Sequence, residues 1–304
     1  MRIAIFGAGA VGGYVGGRLA AAGEDVAFIA RGAHLDAMKR DGLRFEGPSG
    51  SVQIPNLNVT EDPAEVGPVD LVLFTVKLWD TKKAASQLAP LIAEHTRVVT
   101  LQNGIDSVDL IAESVPRRQV LGGAIYILVT MAGPGVLKSP GGNCRIIVEE
   151  SPGIDTVASF VSACGRTGVI DAKSTDTIKV AIWEKFIGLC AASGVTALMR
   201  STIGPIRTNP ETRAFFEQLI DEGLEIARAM EIVLRSDFRK STIDLIDSVP
   251  ASYRASMAED LNRGKSLELS WLSGRMHTLG IRYGIPTPAH SAVYRGLLLH
   301  SNGS

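Results

Sequence analysis

A chain of 304 residues, 45% of them hydrophobic and 21% charged, is long enough for two domains, each with its own core. Lys plus Arg (31) nearly balance Asp plus Glu (32). That excludes the global positive field that would gather nucleic acid or an anionic membrane surface, so neither partner is expected and recognition by charge must be local. The three cysteines, Cys144, Cys164 and Cys190, are odd in number and far apart, which argues against a disulfide framework or a metal site and for buried thiols in a cytoplasmic protein.

In chain order, Arg2–Phe6 is β-rich, Ala10–Ala22 is Ala-rich and helix-like, and Asp25–Ile29 is β-rich again, a βαβ unit that predicts a parallel sheet. The apolar core of this start is too short for a signal peptide and runs straight into glycines. Glycines, prolines and short alternating stretches between Gly42 and Val59 suggest a hairpin insertion. Buried-strand runs follow at Leu71–Val76, Arg97–Leu101 and Val120–Thr130, separated by helix-length segments at Trp79–Leu91 and Ile105–Ser114. Gly133–Glu149 reads as two strands joined by Pro140-Gly141-Gly142-Asn143, and both insertions are expected to extend one edge of the sheet. After about residue 172 the β-rich runs give way to helical patterns at Asp176–Leu198, Glu211–Met230, Tyr253–Asn262 and Glu268–Tyr283. No segment is expected to reach the roughly 20 apolar residues of a membrane span. The class is α/β: a doubly wound Rossmann-type domain over 1–172 that binds NADP, then an all-helical domain over 173–304 for substrate and dimerisation, with apolar helix positions leaving room for a homodimer.

Gly7-Ala8-Gly9-Ala10-Val11-Gly12 matches GxGxxG between a strand and a helix, the context a dinucleotide site demands. Gly7 permits the tight turn, Gly9 lets the backbone approach a pyrophosphate, and Gly12 allows close helix–strand packing. Ala10 and Val11 open the helix whose N-terminus supplies N–H donors. After the second strand the chain reads Phe28-Ile29-Ala30-Arg31-Gly32, with no acid to bind a ribose hydroxyl pair. Arg31 is suited instead to a 2′-phosphate, through bidentate charge-assisted hydrogen bonds, so NADPH is the expected cofactor.

Reduction of a carbonyl needs a proton donor for the oxygen that receives negative charge. Lys185, at the head of the apolar run from Trp183 to Ser193, is the candidate; on a helix it shares a face with Leu189 and Ser193. A lysine on a packed surface loses solvation of its charged form, which lowers its pKa, and a nearby carboxylate such as Glu268 opposes the shift. A lone helix lysine is by itself far more often a solvated residue, and Asn103-Gly104 and Ser256 by themselves read as a turn and a helix start.

The full set of residues overturns that plain reading. GAGAVGGYVGGRLA, Arg31 in ARGAHLDAM, VKLW around Lys77, LQNG around Asn103, AIWEK around Lys185, Ser256-Met257, SLELSWLSG around Glu268 and GIPTP at Gly284–Pro288 follow one another along nearly the whole chain. In this order they resemble the ketopantoate reductase (2-dehydropantoate 2-reductase) family. The resemblance implies NADPH-dependent reduction of a 2-oxo acid, ketopantoate to D-pantoate, on the way to pantothenate and coenzyme A. It implies Lys185 as general acid, Glu268 as the acid that positions the lysine and the substrate hydroxyl, and Ser256 at the substrate carboxylate. Asn103 then sits beside both the nicotinamide and the reacting carbonyl, and Lys77 beside the cofactor ribose. Four and eight residues past the lysine, where the family has asparagines, stand Leu189 and Ser193, and Tyr253 replaces another. Ser193 remains a candidate substrate ligand, and a different 2-oxo acid or ketone with an apolar group is the nearest alternative. A non-catalytic NADP(H)-binding sensor is the alternative of another class, but cofactor binding alone would need neither Lys185 nor Glu268.

Overall fold

The computed structural model describes residues 1–48, 50–142 and 144–303, so Asn143 of the expected Pro-Gly-Gly-Asn turn lies outside the described residues. The chain divides into two compact units, Met1–Ile178 and Lys179–Ser304.

The first unit contains strands β1 (Arg2–Phe6), β2 (Asp25–Ile29), β3 (Leu43–Gly47), β4 (Gly50–Ile54), β5 (Asn58–Thr60), β6 (Leu71–Phe74), β7 (Arg97–Thr100), β8 (Val120–Tyr126), β9 (Thr130–Gly133), β10 (Val136–Lys138), β11 (Cys144–Glu149) and β12 (Ile170–Thr175). Its helices are α1 (Ala10–Ala21), α2 (Gly32–Asp41), α3 (Thr81–Ala85), α4 (Ser107–Ala112) and α5 (Thr156–Arg166). Eight strands form one sheet in the order β12-β11-β8-β7-β6-β1-β2-β5, parallel throughout except where β11 meets β8. β6 and β7 are buried at every position, as a parallel sheet covered on both faces requires. The strand order reverses direction at the β1/β6 pair, the switch point outside which such sheets bind ligands.

The two insertions do not simply extend an edge. β3 and β4 form the expected hairpin, but they join β10 and β9 in a separate four-stranded sheet, β4-β3-β10-β9, while β5 and β11 enter the main sheet. The physical reason lies in α1, which carries two rows of glycine. A Cβ on Gly16 would stand 2.5 Å from Ile5 Cγ1 and 2.6 Å from Phe28 Cε1 of the main sheet. A Cβ on Gly17 would stand 2.6 Å from Phe45 Cζ, and one on Gly13 would stand 3.0 Å from Leu137 Cδ1, both of the second sheet. One helix is thus packed on two faces, and Phe45 and Leu137 are buried against it. The strand expected over Val120–Thr130 splits into β8 and the start of β9, and the helix expected over Trp79–Leu91 is broken into short turns around α3. Pro90, which has no N–H to donate, sits in the last of these. β12 carries the main sheet past residue 172.

The second unit is helical: α6 (Ile178–Leu198), α7 (Ile203–Thr208), α8 (Pro210–Ala229), α9 (Phe238–Ser248), α10 (Ser256–Asn262), α11 (Ser273–Tyr283) and α12 (Pro288–Leu297). Contrary to the expectation from sequence, α6 is long and apolar enough to cross a membrane by length and composition, with 21 residues and a hydropathy of 1.3. Its apolar content is accounted for by packing, since 61% of its most apolar stretch is buried inside the protein. Gly223 of α8 admits Ile187 of α6, and Gly194 of α6 lies against Val293 and Leu219. Buried Glu222 holds α12 in place by accepting from the N–H groups of Ala289 (2.7 Å) and His290 (2.9 Å) at that helix's N-terminus. The His290 ring meets the Leu219 carbonyl through Nε2 at 3.0 Å, and burial pushes its pKa down to about 4, so it remains a neutral core residue.

Gly16→Val should lower the unfolding free energy by about 1–3 kcal/mol, because the helix has no room to retreat between two sheets. In urea unfolding, Gly9→Ala, whose Cβ would meet nothing within 4 Å, should lose markedly less. Equal losses would contradict the two-faced packing of α1.

Candidate active site

The residues singled out in the first unit gather at the carboxyl ends of neighbouring parallel strands. β1 runs into Gly7, whose φ of +101° belongs to the region glycine favours and whose would-be Cβ lies 2.8 Å from the Val76 nitrogen. The N–H groups of Gly7 and Ala8 both donate to the Ile29 carbonyl at 3.2 Å, and Thr75 Oγ1 donates to the Gly7 carbonyl at 2.8 Å. Gly12 touches the same place: its Cβ would be 2.4 Å from both the Gly7 oxygen and Thr75 Oγ1. Over Gly9 the space is open, and the first turn of α1 has no side-chain cap. Ala10 and Val11 begin that turn, where helix N–H groups have no partner within the helix. Backbone donors beneath an open surface fit a pyrophosphate.

Arg31 follows β2 as an exposed residue at the start of α2, where its Nη2 donates to the neutral Gln87 Oε1 at 2.8 Å. Lys77 follows β6, exposed, with Nζ 5.5 Å from the centre of the Trp79 ring. Asn103 follows β7 and is partly exposed, and Gly104 after it takes a φ of +80° that turns the chain away. Between them lies a residue the motif reading passed over. Buried Gln102 donates to the Val76 carbonyl and to Thr81 Oγ1, both at 2.9 Å, and accepts from Thr100 Oγ1 at 3.1 Å. Its amide ties the β6 loop that carries Lys77 to the β7 loop that carries Asn103.

In the second unit, α6 presents a stripe of partly open positions, Ala181, Ile182, Lys185, Gly188 and Leu189, at the spacing of one helix face. Trp183 and Phe186, off this stripe, are buried and meet edge to face at 5.6 Å. Glu184 is engaged elsewhere: its carboxylate accepts from Arg235 Nε at 2.9 and 3.0 Å. Burial pushes the Lys185 pKa down to about 8, and the negative charge of Glu268 opposes that shift. Glu268 is buried, and its carbonyl accepts from the N–H groups of Trp271 and Leu272, both at 3.1 Å, so the backbone that carries it is fixed. Lys185 and Glu268, 83 positions apart in sequence, are therefore within electrostatic reach of each other.

Ser256 is the exposed first residue of α10. The Ala255 N–H before it donates to Thr196 Oγ1 at 3.4 Å, and Thr196 Oγ1 donates to the Ala192 carbonyl at 2.7 Å, which moors this helix start to α6. Leu189 shares the open stripe with Lys185. Ser193 departs from it: α6 is buried continuously from Cys190 to Ala197, and the Ser193 hydroxyl is enclosed with no hydrogen-bond partner among the described residues. Burial also pushes the Tyr253 phenol up from its ordinary pKa.

A model of the family described as "Ketopantoate reductase PanE/ApbA" matches residues 3–153, and its C-terminal counterpart matches residues 177–300. The chain is 29% identical to the 2-dehydropantoate 2-reductase of Mesorhizobium japonicum, over 96% of this chain and 95% of that one. It is 31% identical to the 2-dehydropantoate 2-reductase of Halobacterium salinarum, over 90% of each. Among solved structures, the PanE/ApbA family ketopantoate reductase of Ralstonia eutropha JMP134 superposes with a TM-score of 0.89 at 32% identity, over 99% of this chain and 98% of that one. The family models cover both halves of the chain and the relatives agree with it along its whole length: the chain belongs to the ketopantoate reductase family.

Proposed function

We propose that this protein is an NADPH-dependent 2-oxo acid reductase that converts 2-dehydropantoate to pantoate, with Lys185 as the general acid. The observation that carries the reading is the position of Lys185, desolvated on an apolar helix yet held near the charge of Glu268. An ordinary lysine is too weak an acid to give up its proton readily at neutral pH. With its pKa brought to about 8, Lys185 stays about nine-tenths protonated at pH 7 while becoming a much better donor. Bound NADPH would supply a hydride to the substrate carbonyl carbon. The electron pair displaced from the C=O bond collects on oxygen, and Lys185 Nζ gives that oxygen a proton, leaving a neutral amine to be recharged from water. Glu268 holds Lys185 in its protonated form between turnovers.

The N–H groups of Gly9, Ala10 and Val11 would hold the pyrophosphate, and Gly7 and Gly12 keep the turn narrow. Arg31 would take the 2′-phosphate, and Lys77 and Asn103 stand at the ends of β6 and β7, where the ribose and nicotinamide would lie. Ser256 and Asn103 would be the polar groups offered to the substrate's oxygens, whereas the enclosed Ser193 hydroxyl is not presented to them. Leu189 supports a second reading of substrate identity. Its open position one turn from Lys185, with Ile182 and Gly188 beside it, is an apolar wall that favours a 2-oxo acid with a hydrocarbon side group.

NADPH oxidation measured against 2-dehydropantoate and a panel of other 2-oxo acids tests the substrate. Fastest turnover on 2-dehydropantoate is expected, and turnover far below that of an apolar 2-oxo acid would transfer the assignment. Lys185→Ala should lower kcat by about 100- to 10,000-fold with NADPH affinity unchanged; a loss of only a few fold would remove the lysine from the acid role. Arg31→Ala should weaken NADPH about ten- to a hundredfold and NADH by no more than about threefold. Equal losses in the two titrations would remove the phosphate contact.

A further inference from the structure

His34, the third residue of α2, makes two hydrogen bonds that join distant parts of the first unit. Its Nε2 lies 2.7 Å from the Ala8 carbonyl oxygen, inside the GxGxxG turn. Its Nδ1 lies 3.0 Å from the Gly135 nitrogen, in the turn between β9 and β10. A backbone N–H only donates, so Nδ1 must be the accepting nitrogen; the ring proton then sits on Nε2 and is given to Ala8. Gly135 thus selects the tautomer that serves the glycine turn.

We propose that His34 is a positioning residue for the dinucleotide: by holding the Ala8 carbonyl it aims the Gly9 N–H at the pyrophosphate. The peptide plane makes the connection. In a trans peptide the C=O of Ala8 and the N–H of Gly9 point in opposite directions, so fixing one fixes the other. The neighbouring carbonyls are held in the same manner, Gly7 by Thr75 Oγ1 at 2.8 Å and Gly9 by the Gly13 N–H at 2.7 Å. All three partially negative oxygens of the turn are thereby kept off the face where the phosphates would lie. The four-stranded sheet acquires a part in cofactor binding through the single N–H of Gly135. The proposal rests on the reading of this turn as the dinucleotide site, and concerns the one of its three carbonyl anchors that is a titratable side chain from another helix.

The test is the dissociation constant of NADPH, read by nicotinamide fluorescence, together with the thermal midpoint, for the full chain and three variants. His34→Gln places an amide N–H about where Nε2 was, whereas His34→Asn keeps an acceptor at the Nδ1 position but ends short of Ala8. His34→Ala and His34→Asn should weaken NADPH about three- to tenfold, the size of one lost hydrogen bond, and His34→Gln should remain within about twofold of the unchanged chain. Unchanged affinity in His34→Ala overturns the proposal. So do equal losses in His34→Gln and His34→Asn that follow their thermal midpoints, which would make the contact purely structural. Failure of the unchanged chain to bind NADPH or NADH would instead overturn the dinucleotide reading, and the proposal with it.

Discussion

The proposed chemistry depends on a balance at Lys185 between loss of water and proximity to one carboxylate. Burial in α6 disfavours the ammonium, and Glu268 favours it, with burial the larger effect. Either influence alone would spoil the acid: full solvation leaves a lysine too basic to release its proton, and burial without Glu268 leaves one that is too rarely protonated. This is why a charged residue sits in the most apolar helix of the chain. The helix is apolar because it packs in the core of its unit, where Ile187 meets Gly223 and Gly194 meets Leu219 and Val293. The neighbouring carboxylate, Glu184, is bound to Arg235, and it is Glu268 that opposes the effect of burial on Lys185.

The first unit works by a different principle, in which backbone dipoles rather than ionised side chains are arranged. Its sheet places the ends of β1, β2, β6 and β7 side by side, so Gly7, Arg31, Lys77 and Asn103 follow from strand order. Precision within that row comes from neutral hydrogen bonds: Thr75 and His34 on the carbonyls of the glycine turn, Gln102 between the β6 and β7 loops. None of these groups needs a charge of its own, and the exposed cations Arg31 and Lys77 follow β2 and β6 in the same row.

Much of this was legible in the sequence because the signals were local. The βαβ start, the GxGxxG turn, the missing acid after β2 and the change to helical periodicity each occupy a few consecutive residues. The arrangement of β3, β4, β9 and β10 was not legible, because whether a hairpin joins an edge or forms its own sheet depends on what it packs against. The deciding surface was a second row of glycines on α1 that reads locally as helix composition. Gln102 and His34 lie inside recognisable motifs, yet the loops they tie down are 21 to 101 positions away, and polar roles set by distant partners leave no local pattern. Ser193 shows the opposite error. Four-residue spacing puts it on the Lys185 face, but α6 sinks into its unit along its length, and the open stripe ends at Leu189.

The most direct test of the central claim is the pH dependence of kcat/KM in the unchanged protein and in Glu268→Gln. If Lys185 must be protonated to act, activity should fall as the pH rises through about 8. Removing the charge that raises its pKa should move that fall to lower pH. A basic limb near the ordinary lysine pKa, or one that stays in place when Glu268 is replaced, would contradict the account.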